Sequence, residues 1–114
     1  MSSIKGKRIA SEMMRVISNI LMEETRDKLM KTITITGCEV APDLSTAKVY
    51  FTSISEMDHK SLEREMEEAA SYIRMHVAEK MDLRNTPKLK FIYDESIAYG
   101  DKIERIIKEI HEDK

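Results

Sequence analysis

A chain of 114 residues, 41% hydrophobic and 35% charged, makes one domain over residues 1–114, with a single core and a densely ionic surface. Its lone Cys38 excludes an internal disulfide, no apolar run approaches the roughly 20 residues that span a membrane, and the charged N-terminus lacks the apolar core of a secretion signal, so a cytoplasmic protein is expected. The formal net charge of −2 offers no average attraction to nucleic acid, but its distribution is uneven: +3 over residues 1–31, −4 over 53–70 and +3 over 71–93.

In residues 4–24, Ile9, Met13, Val16, Ile17, Ile20 and Leu21 recur at helical spacing, with Glu12, Arg15, Asn19 and Glu23 opposite and Ser2 or Ser3 as cap. Residues 32–36 alternate Thr and Ile, the pattern of a strand with Ile33 and Ile35 toward a core. Gly37 breaks the alternation and predicts a bulge, after which Val40 continues the strand. Residues 41–45 have turn chemistry, and residues 47–52 form a second alternating strand, giving an antiparallel hairpin. Ala47, Val49 and Phe51 share one face of it; Lys48, Tyr50 and Thr52 share the other.

From the cap Asp58, residues 59–82 are helical, with Leu62, Met66, Ala69, Ile73, Val77 and Met81 along one face. That length predicts a bend, placed at Ala69-Ala70-Ser71, where small side chains allow close approach. Asn85-Thr86-Pro87 ends the helical region and residues 88–93 form a third strand. Ile97, Ile103, Ile106, Ile107 and Ile110 mark a terminal helix within 95–114, beyond a core of 1–94. The order α-β-β-α-α-β-α predicts an α+β domain, a three-stranded sheet covered by helices on one face. The nine Met residues are expected mostly as flexible core fill.

Catalytic chemistry has no foothold in this pattern. His59, His76, His111 and Cys38 lack metal-ligand spacing, and there is neither a phosphate-cradling glycine loop nor a nucleophile elbow. The α-β-β-α-α-β order is that of the type II KH fold, whose members clamp nucleic acid with a Gly-x-x-Gly loop between two helices. No Gly-x-x-Gly occurs here.

The combination of Ala-Lys-Val-Tyr at 47–50, Tyr-Ile-Arg at 72–74, Leu-Arg-x-x-Pro-x-Leu at 83–89 and Asp-x-Ser at 94–96 closely resembles the ribosome-binding factor A family over nearly the whole chain. In that family the KH loop is reduced to an Ala-x-Gly kink; the matching positions are Ala69-Ala70-Ser71, with Ser in place of Gly. The literal Ala98-Tyr99-Gly100 follows the third strand and is a coincidence. The resemblance implies a non-catalytic, cofactor-free monomer that binds the immature small ribosomal subunit and its rRNA. It further implies support of late rRNA maturation, including the 5′ end, and of growth in the cold.

The residues expected to meet phosphate are Arg74, Lys80, Arg84, Lys88 and Lys90, with Lys5, Lys7, Arg8 and Arg15 extending the patch from the first helix. Tyr50 is a candidate for stacking on a base, and Arg26 for a structural pair with Asp27 or a nearby carboxylate. The competing reading is a protein–protein adaptor whose acidic 53–70 segment and terminal helix recognise a basic partner.

Overall fold

The computed structural model describes residues 4–95. Helix α1 spans Ile4–Asn19 and passes directly into a π-helical turn, Ile20–Glu24; a 3₁₀ turn, Met30–Thr32, leads into the sheet. Strands β1, Ile33–Val40, and β2, Thr46–Ser53, form the expected hairpin. Helix α2, His59–Lys80, then crosses the sheet, and β3, Lys88–Tyr93, returns parallel to β2. The sheet order is β1-β2-β3, so β2 is central. Ser2, Ser3 and the terminal helix expected within 95–114, apart from Glu95, lie outside the described residues.

The apolar stripes read from the sequence all face one core. Ile9, Met13, Val16, Ile17, Ile20 and Leu21 are buried against the sheet from α1 and its π-helical turn, and Leu62, Met66, Ile73 and Val77 from α2. Ala47, Val49 and Phe51 of β2 meet them, flanked by Ile33, Ile35 and Val40 of β1 and by Leu89 and Phe91 of β3. Phe51 touches Phe91 and Tyr93 edge-on, with ring centroids 6.5 and 5.6 Å apart, a favoured aromatic geometry. Both helices lie on this face, α1 over β1 and α2 over β3, and among the described residues the opposite sheet face is uncovered.

Met13, Met30, Met66 and Met81 fill the core as expected and Met14 packs against it, whereas Met22, Met57 and Met75 are exposed. The bulge falls where the glycine predicted it: pairing shifts between Ile35 and Gly37, leaving Thr36 as the extra residue. Thr36 Oγ1 donates to Asp94 Oδ2 at 2.6 Å, so the bulge is tied to the end of β3. Cys38 lies on the core side near Met13, and burial pushes its thiol up to about 11. In the hairpin turn Asp43 Oδ1 accepts from the Ser45 amide and hydroxyl, and Leu44 takes a left-handed φ of 61°.

The expected bend does not interrupt α2. Helical structure runs unbroken through Ala69-Ala70-Ser71, giving one helix where two segments were expected. The physical reason lies in the residues: Ala is the strongest helix former, Ser keeps its N–H, and neither Gly nor Pro is present to break the ladder. Ala69 and Ala70 pack against the core, while Ser71 is exposed. Asp58 caps the helix as predicted. Its side chain accepts from Ser61 N and from Ser61 Oγ, at 3.1 and 2.7 Å, and these bonds hold its carboxyl below the usual range.

Two outcomes follow. In denaturant melts Ala69→Leu overpacks the contact with the core and costs about 1–3 kcal/mol, whereas Ser71→Gly costs roughly 0.5 kcal/mol, the propensity difference for an exposed helical site. Because the folded Asp58 carboxyl is depressed, its contribution is complete above the ordinary value of about 3.9 and is lost as pH falls through the lower folded value. Asp58→Ala is therefore less stable than the parent at neutral pH, and the gap in urea midpoint narrows as pH falls below that ordinary value.

Candidate nucleic-acid interface

The expected basic residues fall into separate groups. Arg74 leaves the exposed side of α2, and its Nε and Nη2 both donate to the Thr86 carbonyl, at 3.3 and 2.8 Å. One guanidinium thus ties the helix to the loop before β3. Ser71, Arg74, Met75, Ala78, Arg84 and Thr86 line a shallow depression of about 390 Å³ there. Arg74, Arg84 and Ser71 are thus among the residues around one depression, a side-chain set suited to a phosphate group.

Lys88 and Lys90 stand at alternate positions of β3 on the uncovered sheet face. The parallel register sets Lys90 beside Lys48 and Lys88 beside Thr46 of β2. Lys48 therefore joins this row, although it was not among the expected contacts. Its outward direction was legible from the alternation of residues 47–52; its neighbour across the sheet was not, because parallel pairing joins segments some forty positions apart.

Tyr50 continues the face but is only partly available. Its ring lies over Gly37, where an added Cβ would sit 3.5 Å from Tyr50 Cδ2. Burial raises its hydroxyl above the ordinary phenol value, reinforced by the Glu39 carboxylate that it faces. One side of the ring is thus occupied by the bulge, and the base-stacking role is confined to the other.

Lys80 is engaged elsewhere. Its ammonium lies 3.0 Å from Glu24 Oε1, at the end of the π-helical turn. This hydrogen-bonded pair lowers the Glu24 carboxyl and raises the Lys80 ammonium from their ordinary values. Tyr72 Oη donates to the Glu24 carbonyl at 2.8 Å, so side chain and backbone of one residue are both held by α2. The exposed pair adds little stability by itself, but it directs Lys80 toward α1 and away from the depression.

Lys5, Lys7, Arg8 and Arg15 stand on α1, which packs over β1 at the other side of the sheet. Of these four, Lys7 lines a hollow with Glu39 and Lys48 at the end of the hairpin. Arg26 forms no ion pair among the described residues; Asp27 instead accepts the Leu29 amide at 2.9 Å. The structure thus joins Arg74 with Arg84, and Lys88 with Lys90 and Lys48, but it does not merge the α1 group with either.

Arg74 has a measurable second role. Arg74→Ala should lower stability by up to about 1 kcal/mol through loss of an exposed charge-assisted bond. Lys90→Ala, with no such tie, should stay within about 0.5 kcal/mol of the parent in the same urea titration.

A family model for ribosome-binding factor A matches residues 5–107. The ribosome-binding factor A of Macrococcus caseolyticus is 41% identical over 114 residues, covering 98% of this chain and 99% of that one. The crystal structure of ribosome-binding factor A from Thermus thermophilus has the same fold, with a TM-score of 0.68 at 16% identity over 77% of this chain and 94% of that chain. A Thermus thermophilus ribosome binding factor A homology model, fitted into the cryo-EM map of its 30S complex, gives a TM-score of 0.62 at 17% identity over 75% and 91%.

Proposed function

The chain belongs to the ribosome-binding factor A family, and we propose on that footing that it binds the immature small ribosomal subunit as a non-catalytic assembly factor. It acts in the cytoplasm, as a monomer and without a cofactor. It supports late maturation of small-subunit rRNA, including the 5′ end, and through this growth in the cold. The observation that carries the reading is the match to relatives of that name along almost the full chain; a homology model of the Thermus thermophilus protein has been fitted into the cryo-EM map of a 30S complex.

The rRNA contacts follow from the geometry of the basic groups. Arg84, with Arg74 held beside it, grips a phosphate at the depression near the end of α2. Lys88, Lys90 and Lys48 take further phosphates along the uncovered sheet face. Lys5, Lys7, Arg8 and Arg15 form a weaker, separate flank on α1, and Lys80 contributes least because Glu24 neutralises it. Ala69, Ala70 and Ser71 serve as a packed helical pivot, with only Ser71 facing the depression. Side chains on rigid elements do the binding, so affinity is dominated by counterion release and falls steeply with salt.

The test measures binding to purified immature small subunits across a range of salt concentrations. Arg84→Glu with Lys90→Glu should weaken binding and flatten the log–log salt dependence by roughly 0.7 per lost contact, the single-strand value, with circular dichroism unchanged. Reversal of Glu65 and Glu68, on the acidic half of α2, should leave binding equal or stronger. If the acidic pair abolished binding and the basic pair did not, the rRNA-facing assignment would be wrong.

A further inference from the structure

β3 is an outer strand, and among the described residues no strand pairs with its far edge. Lys88 N donates to the Ser45 carbonyl at 2.9 Å and Asp94 N to the Phe51 carbonyl at 2.7 Å. By the alternation of a parallel ladder, residues 88, 90 and 92 turn their backbone groups toward β2, and Leu89, Phe91 and Tyr93 turn theirs outward. The outward Tyr93 N–H is already taken by Glu63 Oε2 at 3.0 Å. The outward N–H and C=O groups of Leu89 and Phe91 have no hydrogen-bond partner among the described residues. Unpaired strand edges of this kind recruit other strands unless they are covered or blocked.

A groove of about 460 Å³ runs along this edge, between β3 and α2. Glu63 and Glu67, one helical turn apart, line its helix side; Lys88 and Lys90 line its side toward the uncovered sheet face. A ligand lying there meets carboxylates on one flank and ammonium groups on the other. A nucleic-acid strand carries one sign of charge and cannot satisfy both. A polypeptide in extended conformation can, because its successive side chains point to opposite faces.

We propose that the outer edge of β3 docks an extended peptide segment of a protein partner in which basic and acidic residues alternate. Its backbone pairs with Leu89 and Phe91, its basic side chains lie against Glu63 and Glu67, and its acidic ones lie against Lys88 and Lys90. The affinity comes from main-chain bonds and the selectivity from the alternation, the general logic of strand addition. The edge is distinct from the Arg74–Arg84 depression but shares Lys88 and Lys90 with the proposed rRNA contacts. Peptide and rRNA therefore compete for those two ammonium groups, while the main-chain pairing at Leu89 and Phe91 belongs to the peptide alone.

The experiment follows backbone amides of the full chain by NMR. The probe is a capped peptide of about eight residues, the length of a long strand, alternating Lys and Glu. The control has the same composition arranged as Lys-Lys-Glu-Glu, which cannot place every lysine on one face. The alternating peptide should shift the Leu89 and Phe91 amides and slow their hydrogen exchange about tenfold. The control should bind at least about fivefold more weakly, and Glu67→Lys should weaken the alternating peptide by a similar factor with the melting temperature unchanged. Equal binding of the two peptides overturns the proposal. So does strong protection of both amides in the protein alone, which means that the chain itself or a second copy fills the edge. A single-stranded oligouridine that shifts these two amides while both peptides leave them unmoved overturns it in favour of nucleic acid.

Discussion

β2 is hydrogen-bonded on both sides, antiparallel to β1 through a short turn and parallel to β3. A parallel pair cannot be closed by a turn, so the chain must travel back along the sheet before β3 begins. α2 makes that journey. Its 22 residues rise about 1.5 Å each, or roughly 33 Å, whereas the six residues of β3 extend only about 20 Å. The helix therefore overreaches the strand, and both of its ends are fastened. At the start, His59 stacks on Tyr93 with centroids 3.6 Å apart, and Glu63 receives the Tyr93 amide. Near the other end, Arg74 holds the Thr86 carbonyl and Lys80 holds Glu24. The pairing of β2 thus sets the length of α2, and the length of α2 sets where the basic depression forms.

The elements themselves were legible wherever periodicity was strong. The α1 stripe from Ile9 to Leu21, the two alternating strands, the Gly37 bulge and the Asp58 cap each follow from local chemistry, and each is found in place. Two helical segments meeting at Ala69-Ala70-Ser71 were expected because of helix length and family resemblance, but local propensity there favours helix throughout, and α2 runs through these residues without interruption. The candidate site was legible only in part. Exposure of Arg74, Arg84, Lys88 and Lys90 follows from their positions outside the apolar stripe. The partners that engage them do not: the Thr86 carbonyl is a backbone group, and Glu24 belongs to a π-helical turn with no sequence signature. The register that sets Lys48 beside Lys90 is likewise a tertiary fact.

In the proposed rRNA reading, an unbroken helix also changes how a phosphate is met. A glycine loop between two helices presents backbone N–H groups, fixed dipoles that cradle an anion without side-chain ordering. In the interior of α2 those N–H groups are committed to helical bonds and cannot turn toward a ligand. In the proposed rRNA reading, contact at this junction therefore falls to side chains. Arg74 is the one whose ordering cost is already met, because the Thr86 carbonyl holds it before any ligand arrives. A guanidinium bonded through Nε and one terminal nitrogen still has donors left over for an anion. The same contact that fastens α2 thus leaves part of a binding group pre-organised.

This sharing explains the charge blocks along the sequence. The acidic 53–70 segment supplies the Asp58 cap and the carboxylate face of the first half of α2; the basic 71–93 segment supplies its second half and β3. A capping carboxylate at the start and Lys80 in the last turn both complement the helix dipole, so some of the asymmetry has a purely structural cause. Among the cations of the second half, Lys80 is bound to Glu24 and Arg74 is half-committed to Thr86. Those without such ties are Arg84, Lys88 and Lys90, which gain Lys48 through the sheet register. A net charge of −2 therefore says little about what this surface attracts. The decisive quantity is which cations the fold leaves unengaged, and among the described residues of the basic 71–93 segment these are Arg84, Lys88 and Lys90, along the loop after α2 and the outward face of β3.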